Sequence, residues 1–199
     1  MRATRVPLLV AALLIGVGGG ATAADDLEVV FGDPGLPAKQ KALLVRYART
    51  VRTWAMVQRV VQAVREQNAR QLAPERIEEL ERSWAAGQPP QDLLVELASN
   101  PCAQALQTLI AANPGYSEAQ VAGDRGVVVC MSGRADGYWQ GDDPEWVGAF
   151  ADGHGAIYIG ALRKEPVSGA RFVPIAVPVL DGGRAIGVLT VFRLFGTAE

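Results

Sequence analysis

Between residues 172 and 194 apolar side chains fill two runs, FVPIAVPVL and AIGVLTVFRL, separated by Asp181-Gly182-Gly183. Two Val- and Ile-rich runs folded back at a Gly-Gly turn predict a β-hairpin. On the first run Val173, Ile175, Val177 and Val179 share one face and Phe172, Pro174, Ala176, Pro178 and Leu180 the other, so both faces must be covered. Pro174 and Pro178 have one parity, and residues of one parity direct their amides to one neighbour, so one of the two flanking ladders is thinned. Gly187 on the return run leaves space for a close approach.

Upstream the hydrophobic period changes to three and four. Leu43, Leu44, Tyr47, Val51, Trp54, Val57, Val61 and Val64 recur at helical intervals, opposite a face of Lys39, Lys41, Arg46, Arg49, Arg52, Arg59 and Arg65. The pattern predicts one long amphipathic helix over 37–68. Such a helix either projects beyond the core onto a second subunit or lies along a sheet, and the pattern leaves both open. Pro74 opens a second helix with Ile77, Leu80 and Trp84 as its stripe and Gly87 past its end. After Pro89-Pro90, short helices are expected over 91–98 and 101–112, the second capped by Asn100, and Asn113-Pro114-Gly115 ends the helical half.

Strand patterns follow. Residues 118–121 and 127–131 form a candidate hairpin, 132–141 a polar loop holding Tyr138 and Trp139, and Asp143-Pro144 the cap and first position of a helix. Residues 155–162 read as a strand and 163–169 as a polar connection to the final hairpin. The second half is thus five strands with one helix between the second and the third.

The chain has 199 residues, 49% of them hydrophobic and 20% charged, which suits one globular domain. With a formal net charge of −2 and no basic cluster, nucleic acid is excluded as a partner. Arg2 and Arg5 precede an apolar core at 6–15, small residues and Ala21-Thr22-Ala23, the pattern of a cleavable secretory signal over 1–24; an uncleaved anchor is the alternative. No second span of that kind follows, so the expected protein is periplasmic or secreted. In an oxidising compartment Cys102 and Cys130 can form a disulfide, and two small buried thiols are the other reading. Neither zinc spacing nor a haem attachment motif is present, and no metal or cofactor is expected.

Nothing in the sequence assembles a catalytic centre. His154 is the one histidine and sits between glycines, no serine lies in a Gly-x-Ser-x-Gly turn, and neither a dinucleotide fingerprint nor a phosphate loop occurs. No catalytic residue is assigned, and an enzyme is not expected.

The order of elements, with Tyr116-Ser117-Glu118-Ala119-Gln120-Val121, Val127-Val128-Val129, Gly137-Tyr138-Trp139-Gln140-Gly141-Asp142, Glu145-Trp146, Tyr158-Ile159-Gly160 and the final hairpin, resembles the extracytoplasmic PAS-like sensor modules called Cache domains. The resemblance spans about 36–194. It implies an α+β fold, with a long N-terminal helix and short helices packed on a five-stranded antiparallel PAS-like sheet. A lead at 25–35 would precede a single sensor domain over 36–199, helical at 36–113 and sheet-forming at 116–195. It further implies a small organic ligand (a carboxylate, an amino acid or an amine) and signalling through a membrane receptor or kinase. A homodimer through the 37–68 helix is a further partner reading. The alternative is a ligand-free interaction module that uses the same helix.

On that reading Tyr138, Trp139 and Trp146 give a pocket its apolar walls, and Tyr158 and Phe172 face the loop because even positions on the strand of the hairpin point to the pocket. Met131 and Ser132 end the neighbouring strand. Arg134 and Arg171 offer guanidinium forks to a carboxylate, although the resemblance puts Pro174 where some carboxylate-binding relatives carry a basic side chain. Asp142, Asp143 and Glu145 favour an amine beside aromatic faces, and equally suit a helix start.

Overall fold

The computed structural model describes residues 27–133, 135–165 and 169–197. The expected leader at 1–24 and Arg134 lie outside the described residues. In chain order the elements are β1 (Val29–Phe31), α1 (Ala38–Ala55), α2 (Gln58–Ala69), α3 (Pro74–Ala85), α4 (Gln91–Ser99), α5 (Pro101–Ala112), β2 (Tyr116–Gly123), β3 (Val128–Met131), α6 (Pro144–Phe150), β4 (Ile157–Ile159), β5 (Arg163–Lys164), β6 (Ala170–Asp181) and β7 (Arg184–Thr197). The strands form a seven-stranded sheet in the order β1-β4-β6-β7-β2-β3, with β5 also paired to β6.

Two expectations are corrected. The five expected strands are present and mutually antiparallel, but β1 adds a parallel edge beside β4 and β5 adds a short antiparallel piece beside β6. Both additions fall in stretches the sequence offers as lead and connection, too short for a period to show. The single helix expected over 37–68 is two helices, broken where Val57 turns extended at φ −61 and ψ 126. On an unbroken helix the step from Val51 to Val60 would turn Val60 about half a turn away from Val51. The break restores the phase, so Leu44, Ala48, Val51 and Ala55 of α1 and Val60 and Val64 of α2 all bury into one core.

That core lies on the face of the sheet formed by odd positions of the long strands: Val173, Ile175, Val177 and Val179 of β6, and Leu189 and Val191 of β7. Each is at most 4% exposed. α5 adds Cys102, Ala103 and Leu106, and Cys102 is disulfide-bonded to Cys130 of β3, with Cα atoms 5.9 Å apart. The Asn100 side chain caps α5 by accepting from the Ala103 amide at 2.9 Å. By contrast Asp143 occupies the cap position of α6 but its carboxylate makes no capping hydrogen bond.

At the hairpin turn Gly182 and Gly183 have φ of 56° and 83°, left-handed values that suit the twist of the two strands and that glycine adopts at little cost. The thinned ladder is the one with β4. The Pro174 carbonyl accepts from Gly160 on that side, where only Tyr158 with Ala176 and Ile159 with Ile175 are in register, while β6 pairs with β7 along nearly its whole length. Among the described residues no helix is long and apolar enough to cross a membrane, and no group of His, Cys, Asp and Glu suits a metal ion.

Candidate functional site

The even face of the same strands is covered differently. At the β4 end α6 lies on it, with Ala149 packed on Ala176 and Val188 and flanked by Trp146, Phe150 and Tyr158. Toward β2 the cover lifts and leaves a cavity of about 320 Å³, within the range of small-molecule sites. Its floor is Gln120 and Ala122 of β2, Phe172 of β6, and Thr190, Phe192 and Leu194 of β7. Phe172 and Phe192 meet edge to face at 5.4 Å. Asp136 and Gln140 of the loop before α6, Asp143, Glu145 and Trp146 at the start of α6, and Arg163, Glu165 and Ala170 form the walls.

The polar wall is held by its own hydrogen bonds. Gln120 Nε2 donates to Gln140 Oε1 at 2.6 Å, and Gln140 Nε2 donates to the Gly137 carbonyl at 3.0 Å. The Trp146 indole donates to the Gly123 carbonyl at 3.0 Å, which anchors α6 to the end of β2. Glu145 is buried and accepts from the Arg163 guanidinium.

Negative charge predominates. Glu118, Asp136, Asp143, Glu145 and Glu165 line the cavity, with Arg163 the one basic side chain among the described lining residues. Burial, then repulsion from Glu145 and Asp142, pushes the Asp143 carboxyl up to about 6, against a smaller opposing pull from Arg163. Burial and the nearby Asp136 raise Glu118 as well. A carboxylate held above its usual range is one that a bound cation would return to the charged form.

Of the residues singled out in the sequence, Trp146 and Phe172 line this cavity, as do Asp143 and Glu145 but not Asp142. Tyr138 and Met131 lie instead in a second apolar cluster with Ile77, Leu80 and Trp84 of α3 and Leu97 of α4, where Tyr138 stacks on Trp84 at 6.1 Å. Trp139 faces outward at 37% exposure and donates its indole N–H to the Arg125 carbonyl at 2.9 Å. Tyr158 packs under α6. Ser132 closes the β2–β3 hairpin, its hydroxyl accepting from the Ala119 amide at 2.8 Å. Arg171 pairs with Lys164 across β5 and has the opposite parity to Phe172. Arg134 lies outside the described residues.

The aromatic pair therefore stands on the helix side of its loop, and the loop turns Asp136 and Gln140 to the cavity. Gln120 and Gln140 stand in fragments that carry the resemblance but are not among the residues singled out for the site, and Thr190 and Arg163 carry no motif. The signal available for Thr190 was its even parity with Phe192 in an otherwise apolar run, a polar group where a packed core has no use for one.

No protein-family model matches the sequence, and no curated protein matches it. Among solved structures, the chain is similar to the ligand-binding domain of the Pseudomonas aeruginosa PAO1 amino acid chemoreceptor PctC in complex with GABA, at 14% identity and a TM-score of 0.40, over 80% of this chain and 61% of that one. It is similar to the ligand-binding domain of the Campylobacter jejuni chemoreceptor Tlp3 in complex with 4-methylisoleucine, at 14% identity and a TM-score of 0.39, over 79% of this chain and 61% of that one. The sensor domain of the Vibrio cholerae histidine kinase DctB is a third, at 16% identity and a TM-score of 0.37, over 78% of this chain and 57% of that one. The chain thus spans about three fifths of the length of these domains. These three are ligand-binding domains of two chemoreceptors and the sensor domain of a histidine kinase.

Proposed function

We propose that this chain is an exported, non-enzymatic sensor domain that binds a small amine-bearing metabolite between the even face of its sheet and the α6 cover, and passes its state to a receptor or kinase in the membrane. The observation that carries the reading is the charge of the cavity. Glu118, Asp136 and Asp143 surround an aromatic floor, while the guanidinium of Arg163 is held by Glu145. An ammonium entering there gains from the carboxylates and from the faces of Trp146, Phe172 and Phe192. An anion would meet like charge and would have to take Arg163 away from a buried glutamate.

The chemistry also sets a pH dependence for the ligand. Asp143 carries its charge above about pH 6, so amine affinity rises from mildly acidic to neutral pH as that carboxyl ionises.

A thermal-shift panel of the full chain with phenethylamine, putrescine, L-valine and succinate tests the reading. An amine at a hundred times its Kd stabilises by about 2.7 kcal/mol, and succinate gives no shift. A shift from succinate alone overturns it in favour of a carboxylate ligand, and a shift from none of the four overturns it in favour of a ligand-free interaction module working through the α1–α2 segment.

A further inference from the structure

One carboxylate stands where the helical pattern calls for an apolar side chain. Along α3 the buried positions are Ile77, Leu80 and Trp84, and Glu81, at the i+4 step from Ile77, falls on that same face. Among the described residues no Lys, Arg or His forms an ion pair with it. Its partners are main-chain donors: one oxygen, Oε2, accepts from the backbone N–H of Tyr138 and of Trp139, both at 2.8 Å. Two successive amides aimed at one anion form a concave donor site of the kind that holds a negative charge without a counter-ion.

Those amides belong to the loop that fronts the cavity. The loop has two sides: Asp136 and Gln140 line the cavity, while Tyr138 packs on Trp84, whose indole also donates to the Ala135 carbonyl at 3.0 Å. Along its edge the loop pairs with the β2–β3 hairpin, the Val128 amide donating to the Tyr138 carbonyl at 2.9 Å and the Gln140 amide to the Gly126 carbonyl at 2.7 Å. A Cβ at Gly137 would lie 3.0 Å from Glu81 Oε1, so a side chain there would press on the carboxylate and oblige it to give by a few tenths of an ångström. The hairpin and α3 thus hold the loop from two sides.

Building on the proposed ligand site, we infer that Glu81 is its positioning residue: by holding the Tyr138 and Trp139 amides it turns Asp136 and Gln140 toward the ligand and couples occupancy of the cavity to α3. Glu81 touches no ligand itself. The helix that feels the ligand is then α3 rather than the basic α1.

The experiment uses the full chain, with phenethylamine as probe and the variants Glu81→Ala, Glu81→Gln and, as a control on the outer face of the same helix, Glu79→Ala. It reads amide hydrogen exchange residue by residue and phenethylamine affinity. Loss of two charge-assisted hydrogen bonds predicts about tenfold faster exchange at the Tyr138 and Trp139 amides in Glu81→Ala and about tenfold weaker binding. Glu81→Gln, which keeps one acceptor oxygen, falls between it and wild type. In Glu79→Ala, and at the β6–β7 amides of every variant, exchange is unchanged. Equal exchange at Tyr138 and Trp139 in wild type and Glu81→Ala overturns the inference, and so does acceleration that spreads evenly to β6 and β7, which marks a general loss of stability. Undiminished phenethylamine binding by Glu81→Ala overturns it as well. Absence of phenethylamine binding by wild type contradicts the amine reading instead, and the exchange data then decide the role of Glu81 by themselves.

Discussion

The two faces of one pair of strands are built to opposite ends. On β6 and β7 the odd positions, Val173 to Val179 and Leu189 to Val191, are at most 4% exposed and press against α1 and α2 with no polar side chain among them. Shifted by one residue, the even positions include Thr190 and Phe192, and there the cover consists of one seven-residue helix and a loop that leave about 320 Å³ open. Because side chains alternate strictly along a strand, stability and recognition can be written on the same segment without competing for the same positions. The first face needs volume and apolarity; the second needs charge and vacancy.

The difference is broken most sharply by neighbouring substitutions. Leu189→Ala on the closed face should cost about 3 kcal/mol, read as a lower urea midpoint, since a fully buried leucine leaves both lost transfer energy and a void. Thr190→Val, one residue along, should move stability by less than about 1 kcal/mol and instead change amine affinity. Similar costs at the two positions would mean the faces do not differ as described.

Replacing Cys102 and Cys130 together by serine should cost about 3 kcal/mol, seen as a melting temperature below that of the disulfide-bonded wild type, because the bond closes a loop between residues 28 apart. That loss belongs to the closed face, so phenethylamine affinity in the variant at low temperature should stay as it was.

Trp146→Ala removes a wall of the cavity and the donor to the Gly123 carbonyl. About 1–2 kcal/mol of stability should go with it, together with most of the amine-induced thermal shift.

The smallest effect is the one with a definite sign in pH. Since the Asp143 carboxyl is raised to about 6 from 3.8, the folded chain binds more protons than the unfolded chain between those values. This group's contribution is therefore fully present below the lower value and is lost as pH rises through the upper one. Asp143→Asn should flatten that decline, gaining stability relative to wild type at neutral pH, measured by urea unfolding at mildly acidic and neutral pH. A decline as steep as that of wild type would place the responsible group elsewhere.

Much of this was legible in the sequence where a single period runs long enough. The Phe172 to Leu194 alternation and its Gly-Gly turn gave the central hairpin, and the shared parity of Pro174 and Pro178 gave its weak side. Helical spacing located α3, and the Pro89-Pro90 break with Asn100 as a cap located α5. The break at Val57 hid in the same spacing: Val57, Val61 and Val64 continue the stripe of α1 at steps of three and four, whereas the fully buried Val60 falls outside it. β1 and β5 escaped because three- and two-residue strands have no period to detect.

The site was less legible for a different reason. Aromatic side chains in a loop suggest a pocket, but Tyr138 and Trp139 are drawn to α3 by Trp84 and Glu81, and that loop gives the cavity Asp136 and Gln140, residues that sequence patterns treat as solvated. Which side of a loop faces a hollow depends on partners distant in the chain, and a local pattern does not record them.

The central claim is that the hollow over the even face is a binding site, and calorimetric titration of phenethylamine into wild type and into Ala170→Phe, which fills the cavity from its wall, tests it directly. The account predicts saturable one-to-one binding in wild type at neutral pH and none in the filled variant. Equal binding by both proteins, or no binding heat in wild type, would contradict it.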